Sequence, residues 1–112
     1  MKEIKTQAAQ GDLLISRIEC LPAGLESVKP ENGAFILAHS ETGHNHVVEQ
    51  QSVSLFRPAN DEFTAYMVVE HPTVLRHERS FDTHAPLSIP PGTYRINRQR
   101  EYTPEGFRRA AD

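Results

Sequence analysis

Cysteine is almost absent from this chain, in which Cys20 is the only thiol. One cysteine cannot form an intramolecular disulfide, and it cannot supply the several thiolates of a structural zinc cluster. Tryptophan does not occur, and hydrophobic residues make up 38% of the 112 residues, below the usual share of about 45–50%. A chain of this length has room for one domain with one core. The modest apolar content favours additional stabilisation by a metal ion or a partner subunit.

Long hydrophobic runs are also lacking. No stretch approaches the roughly 20 apolar residues that span a bilayer, and residues 1–12 lack the apolar segment of a signal peptide. We therefore expect no membrane partner and a cytoplasmic location, or a phage particle assembled in the cytoplasm. The net charge is −3, and the arginines of segment 94–112 are diluted by Glu101 and Glu105. Nucleic acid is thus not an expected partner, whereas self-association or a protein partner is.

The apolar residues that are present come in short bursts separated by turn formers, a pattern typical of β-strands. Eight strands are predicted, over residues 12–19, 34–38, 44–50, 53–57, 63–70, 73–78, 86–89 and 93–99. Their spacing favours a single all-β domain over residues 1–112, a compact barrel or sandwich of about seven or eight short strands.

The two ends of the chain are expected to differ from this β domain. Residues 1–9 are predicted to be flexible, and residues 103–112 to form a C-terminal arm. Thr103 could cap a short helix, with Pro104 at its first position, so the arm is predicted to be helical over 104–111.

Histidine carries the clearest chemical signal. His44 and His46 form a Gly-His-x-His step, and side chains two apart in a strand point to the same face. Neutral imidazole is the commonest protein ligand for a transition metal. A strand over residues 44–48 would therefore present two nitrogen ligands side by side.

Two further histidines could complete such a site. His77 shares a predicted strand face with Leu75 and should point into the domain. His84 lies in a predicted loop before a strand, where a rigid scaffold often places ligands. We favour His84 as the third ligand, with His77 as a fourth ligand or a supporting partner. His39 and His71 lack partner spacing and are expected to be ordinary surface residues.

Imidazole ligands without cysteine suit several divalent transition metals. We expect zinc first, with iron, nickel or copper as alternatives. No Gly-x-Ser-x-Gly elbow or phosphate-binding glycine loop occurs, and no general base can be assigned. The pattern therefore favours a binding module over an enzyme.

The His-x-His pair partly resembles the cupins, small β-barrels with histidine metal ligands. Gln50 and Gln51 stand where the cupin carboxylate falls, and Arg95 stands where the third cupin histidine would be. The resemblance implies a histidine-lined, cupin-like barrel with a different ligand set.

A broader resemblance is to a group of small, uncharacterised bacterial and phage-encoded proteins, and it extends from residue 10 to the end of the chain. The motifs that carry it are Gln-Gly-Asp (10–12), TGHxH (42–46), His-Ala-Pro (84–86), PPGTYR (90–95), RQREY (98–102) and RRxAD (108–112). This resemblance implies a phage-related origin and no particular activity.

Together these features favour a small histidine-rich metal-binding β-barrel module with His44, His46, His77 and His84 as candidate ligands. The alternative, from another functional class, is a metal-free structural or protein-interaction subunit of a homo-oligomer or phage-related assembly.

Overall fold

The computed structural model describes residues 2–38, 45–61, 63–77, 86–98, 100–103 and 106–109. Every regular element in these ranges is a β-strand, which confirms the all-β prediction. The described part of the chain contains no helix long and apolar enough to cross a membrane.

One sheet has five strands, in the spatial order β1-β10-β9-β6-β5. Its members are β1 (Lys2–Glu3), β5 (Ala34–Ala38), β6 (His46–Glu49), β9 (Thr73–His77) and β10 (Leu87–Ile89). Neighbouring strands are antiparallel except β1 and β10, which are parallel.

The other sheet has six strands, in the order β2-β3-β11-β8-β7-β4, and all its neighbours are antiparallel. Its members are β2 (Gln7–Gln10), β3 (Leu13–Ile18), β4 (Leu25–Ser27), β7 (Val53–Pro58), β8 (Thr64–Val69) and β11 (Gly92–Arg98). We call it the six-stranded sheet below.

The two sheets share one apolar core. In β8 the side chains alternate between half-buried and fully buried, because successive side chains of a strand point to opposite faces. The inward set includes Met67 and joins Ile15 and Ile96 of the same sheet to Val48 and Leu75 of the other. The core therefore lies between the inner faces of the two sheets.

The barrel alternative, including its cupin-like form, is not what the structure shows. The described strands form two separate sheets and no closed barrel. The edge strands β5 and β4 belong to different sheets and are not hydrogen-bonded to one another. Alternation of apolar residues is the same in an open and in a closed sheet, so the pattern alone could not decide between them.

The predicted C-terminal helix is wrong over its described part. Arg100–Thr103 (β12) and Gly106–Arg109 (β13) form a two-stranded antiparallel hairpin, with Tyr102 and Phe107 in register. Aromatic residues favour strands, and Gly106 disfavours a helix interior. These preferences outweigh the helix-start signal of Thr103 and Pro104. Residues 104, 105 and 110–112 lie outside the described ranges.

The N-terminal segment contributes two strands, β1 and β2. β1 pairs with β10, β2 pairs with β3, and Ile4 between them is 1% exposed. The amide of Ile4 donates to the carbonyl of Ser88 at 3.0 Å. This attachment brings residues 7–12 against the core.

Candidate functional site

Two of the predicted histidines meet in the five-stranded sheet. His46 begins β6 and His77 ends β9, and the two residues are register partners on neighbouring strands. Their rings stack in parallel, with centroids 4.2 Å apart and planes inclined by 5°. Both side chains are buried, and His77 lies on the same face as buried Leu75, as the alternation predicted.

The six-stranded sheet brings two polar residues to the same place. Gln10 ends β2 and pairs with Leu13 of β3, so Gly11 and Asp12 form a two-residue hairpin turn. Gly11 has a φ of 58°, which a type II′ turn requires at this position and which glycine adopts without strain. Gln10 and Asp12, which flank this glycine, are 3% and 2% exposed.

Gln10 fixes one side of the His46 ring. Its amide nitrogen donates to the backbone carbonyl of Leu75 at 3.0 Å. Because a carbonyl can only accept, the amide group has one chemically sensible orientation. The amide oxygen then lies 2.9 Å from His46 Nδ1, and that ring nitrogen must carry a hydrogen and donate it.

Asp12 faces the other side of the ring. Its Oδ1 lies 3.2 Å from His46 Nε2. With hydrogen on Nδ1, a neutral imidazole presents a lone pair at Nε2, and a lone pair facing a carboxylate oxygen is repulsive. A positive charge between the two atoms removes this repulsion.

Arg98 orients the Asp12 carboxylate. Its Nη2 donates to Asp12 Oδ2 at 3.3 Å, and the arginine side chain is 8% exposed. A buried carboxylate needs such a charged partner to offset its desolvation. Because Arg98 occupies Oδ2, Oδ1 is the oxygen directed at His46.

The other predicted ligands are not placed by the structure. His44 and His84 lie outside the described residues, as does His39. His71 is exposed at the turn before β9, as expected for a surface residue. Within the described ranges, no group of three or more His, Cys, Asp or Glu residues is arranged to hold a metal ion.

Sequence reasoning missed Gln10, Asp12 and Arg98 as members of this cluster. A weak signal existed, because Gln10 and Asp12 flank a glycine at the start of a predicted strand. Residues two apart in an extended segment point to the same face. Contact between this hairpin and His46 depends on how the two sheets pack, which no local pattern reveals.

Comparison with known proteins identifies the family of this chain but assigns it no function. No curated protein and no solved structure gives a significant match to the chain. The family described as Domain of unknown function (DUF8820) matches residues 9–99, a segment that contains all five members of the buried cluster: Gln10, Asp12, His46, His77 and Arg98. The protein therefore belongs to this family of unknown function.

Proposed function

We propose that the protein is a small metal-binding module whose ion is held by His46 and Asp12 where the two sheets meet. The observation that carries the proposal is the 3.2 Å separation of His46 Nε2 and Asp12 Oδ1. Both side chains are buried, and imidazole nitrogen and carboxylate oxygen are ligand types that zinc accepts.

The distance suits shared coordination. Zinc bonds of about 2.0–2.2 Å to nitrogen and oxygen at a tetrahedral angle place neighbouring donor atoms roughly 3.4 Å apart. One nitrogen and one oxygen ligand are compatible with zinc, iron, nickel or copper, and zinc remains our first candidate. In this proposal Asp12 is the carboxylate ligand beside the predicted histidines. The cupin pattern would place that carboxylate shortly after His46, where this chain has Gln50 and Gln51.

Further ligands are part of the proposal. Two donors do not complete the four-coordinate site that zinc adopts. His77 stacks on His46 and is a supporting partner rather than a ligand, because parallel stacked rings do not direct their nitrogens at one ion. His44 and His84 are the remaining predicted ligands and lie outside the described residues. The proposal assigns a binding role and no reaction.

Elemental analysis of protein purified without an affinity tag or chelator tests the proposal. We expect about one equivalent of a divalent transition metal per chain. His46→Ala and Asp12→Asn should lose it, while His71→Ala, which removes an exposed histidine, should retain it. A wild-type protein that stays metal-free after incubation with zinc, iron, nickel and copper would contradict the proposal.

A second candidate function is self-association through the outer face of the six-stranded sheet. Alternate residues of its four central strands point away from the core and are partly exposed. Among the outward residues of β3, β11, β8 and β7, Arg95 is the only charged one. The larger apolar and aromatic members of this outer face are Leu14, Ile18, Phe56, Tyr66 and Val68.

Scarce charge together with Tyr, Phe and Arg is the composition of an interface centre. Tyr66 is in register with Phe56 on one side and with Arg95 on the other. We infer that a second copy of this chain covers the outer face, because a small domain with a modest core gains stability from oligomerisation.

Sedimentation equilibrium distinguishes this candidate from the first. If the outer face forms a homodimer, Tyr66→Glu should yield monomers, and Gln51→Glu, which adds the same charge at an exposed turn, should not. A wild-type protein that is monomeric at 100-fold dilution and at high concentration alike would rule the homodimer out.

A further inference from the structure

We propose that Arg17 is a latch that holds the N-terminal segment in place along the edges of both sheets. Residues 2–10, which we call the N-terminal strap, contain β1 and β2. β1 is the outermost strand of the five-stranded sheet, and β2 is the outermost strand of the six-stranded sheet. One short segment therefore covers an edge of each sheet, and Arg17 binds it where it crosses between them.

The crossing, residues 4–6, is attached to both sheets through its backbone. The amide of Ile4 donates to the carbonyl of Ser88 at 3.0 Å, and the amide of Arg17 donates to the carbonyl of Thr6 at 2.8 Å. Ile4 is the buried side chain of residues 2–6, and the other four are exposed. Because β1 has only two residues, its own pairing with β10 adds little stability.

The Arg17 side chain joins this crossing to the turn before β11. Its Nε donates to the carbonyl of Lys5 at 3.1 Å. Its Nη1 donates to the carbonyl of Pro91 at 3.2 Å, and its Nη2 donates to the hydroxyl of Tyr94 at 3.0 Å. The guanidinium group carries its donors in a rigid planar fork, so one side chain can hold acceptors from separate segments together.

The turn before β11 accommodates the guanidinium closely. The Arg17 Cζ lies 5.1 Å from the centroid of the Tyr94 ring, and the Tyr94 hydroxyl donates to the carbonyl of Pro90 at 2.6 Å. A Cβ atom added at Gly92 would collide with Arg17 Nη1, so the glycine leaves the space that the guanidinium fills. Positions 90, 91, 92 and 94 of the PPGTYR motif thus all serve to hold Arg17.

The latch controls a local opening of the fold. A segment with one buried side chain opens at a lower free energy than the whole domain, so residues 2–6 should detach while the core stays folded. Their release uncovers the edge of β10, and an uncovered edge offers unpaired N–H and C=O groups to another strand. Arg17 therefore determines how often this edge is available for pairing.

Native-state hydrogen exchange, measured by NMR at several low urea concentrations, tests the local opening. The amide of Ile4 reports detachment of the strap, and the amide of Met67, in an inner strand of the six-stranded sheet, reports unfolding of the core. In the wild type, exchange at Ile4 should need less free energy than exchange at Met67. It should also depend less on urea, because the local opening exposes little surface.

The variant Arg17→Met tests the latch, because it keeps an apolar side chain and removes every donor of the guanidinium. We expect exchange at Ile4 to become about tenfold faster, as for the loss of hydrogen bonds from a charged donor. Arg76→Met is the matched control. It makes the same change at an exposed arginine of β9 that contacts Glu49 at 2.6 Å, and exchange at Ile4 should keep its wild-type rate.

Two results would overturn the proposal. The first is a wild type in which Ile4 and Met67 exchange with the same free energy and the same urea dependence, because the strap then opens only when the whole domain unfolds. The second is an Arg17→Met protein in which Ile4 exchanges at the wild-type rate, because the strap is then held without Arg17.

Discussion

At the scale of single residues, Tyr94 is a buried group whose ionisation is altered by its surroundings. Its side chain is buried, its hydroxyl donates to the carbonyl of Pro90 at 2.6 Å, and Arg17 Nη2 donates to it at 3.0 Å. Burial raises the pKa of Tyr94 above its ordinary value of 10.0, and the nearby Arg17 charge only partly offsets this rise. The phenol is therefore held in its neutral form.

A pH dependence of stability follows from this raised pKa. The folded protein binds the Tyr94 proton more tightly than the unfolded chain, so this contribution is fully present below pH 10 and is lost as the pH rises through the raised pKa. At pH 7, Tyr94→Phe should lower the free energy of unfolding by about 1–3 kcal/mol, because it leaves the Pro90 carbonyl and Arg17 without their hydroxyl partner.

Urea unfolding at pH 7, 9 and 11 checks this prediction. The stability difference between wild type and Tyr94→Phe should narrow toward pH 11, because only the wild type carries the ionising phenol at this position. Other groups that titrate in this range are common to both proteins and cancel in the comparison. A difference that stays constant from pH 7 to pH 11 would show that Tyr94 does not contribute in this way.

At the scale of elements, the C-terminal hairpin forms a two-stranded sheet of its own. β12 and β13 pair with each other, and neither is a member of the five-stranded or the six-stranded sheet. A lone two-stranded hairpin is at best marginally stable in water, so its pairing should add little to the stability of the whole domain.

Truncation after residue 99 tests this view of the hairpin. We expect the melting temperature to change by only a few degrees, because a lone hairpin contributes little stability of its own and about 0.5 kcal/mol corresponds to a few degrees in a domain of this size. Differential scanning calorimetry of the truncated and full-length proteins gives the comparison. A fall of roughly 10 °C or more would mean that the hairpin supports the core.

The elements also show how far sequence reasoning reached. The strand predicted over residues 34–38 has the observed bounds of β5, because an apolar run between turn residues is a local signal. β4 was not among the predicted strands, because Leu25–Ser27 is a strand through its pairing with β7 rather than through its composition. The alternation of side chains along a strand also predicted that His77 points inward. In contrast, the approach of Gln10 and Asp12 to His46 depends on how the two sheets pack against each other.

At the scale of the whole molecule, a buried polar cluster lies at the boundary of a modest apolar core. His46, Asp12, Gln10 and Arg98 come from both sheets, so each sheet contributes groups that are costly to bury without partners from the other. A cation between His46 and Asp12 would link the sheets directly. Binding of such an ion should therefore stabilise the entire fold rather than one loop.

The size of this effect follows from linkage. An ion that binds only the folded state at 100 times its dissociation constant stabilises that state by about 2.7 kcal/mol. For a domain of this size, such a gain corresponds to a rise in melting temperature of roughly 10–20 °C. We expect this rise when zinc is added to chelator-treated wild type.

Thermal unfolding of three proteins with and without zinc makes the prediction specific. Asp12→Asn retains the shape of the side chain but removes its charge, so its melting temperature should respond little to zinc. His71→Ala should respond as the wild type does, because His71 is exposed and distant in sequence from the hairpin turn. An equal response in wild type and Asp12→Asn would place any bound zinc elsewhere, because an ion shared by Asp12 and His46 cannot bind equally well once the carboxylate is gone.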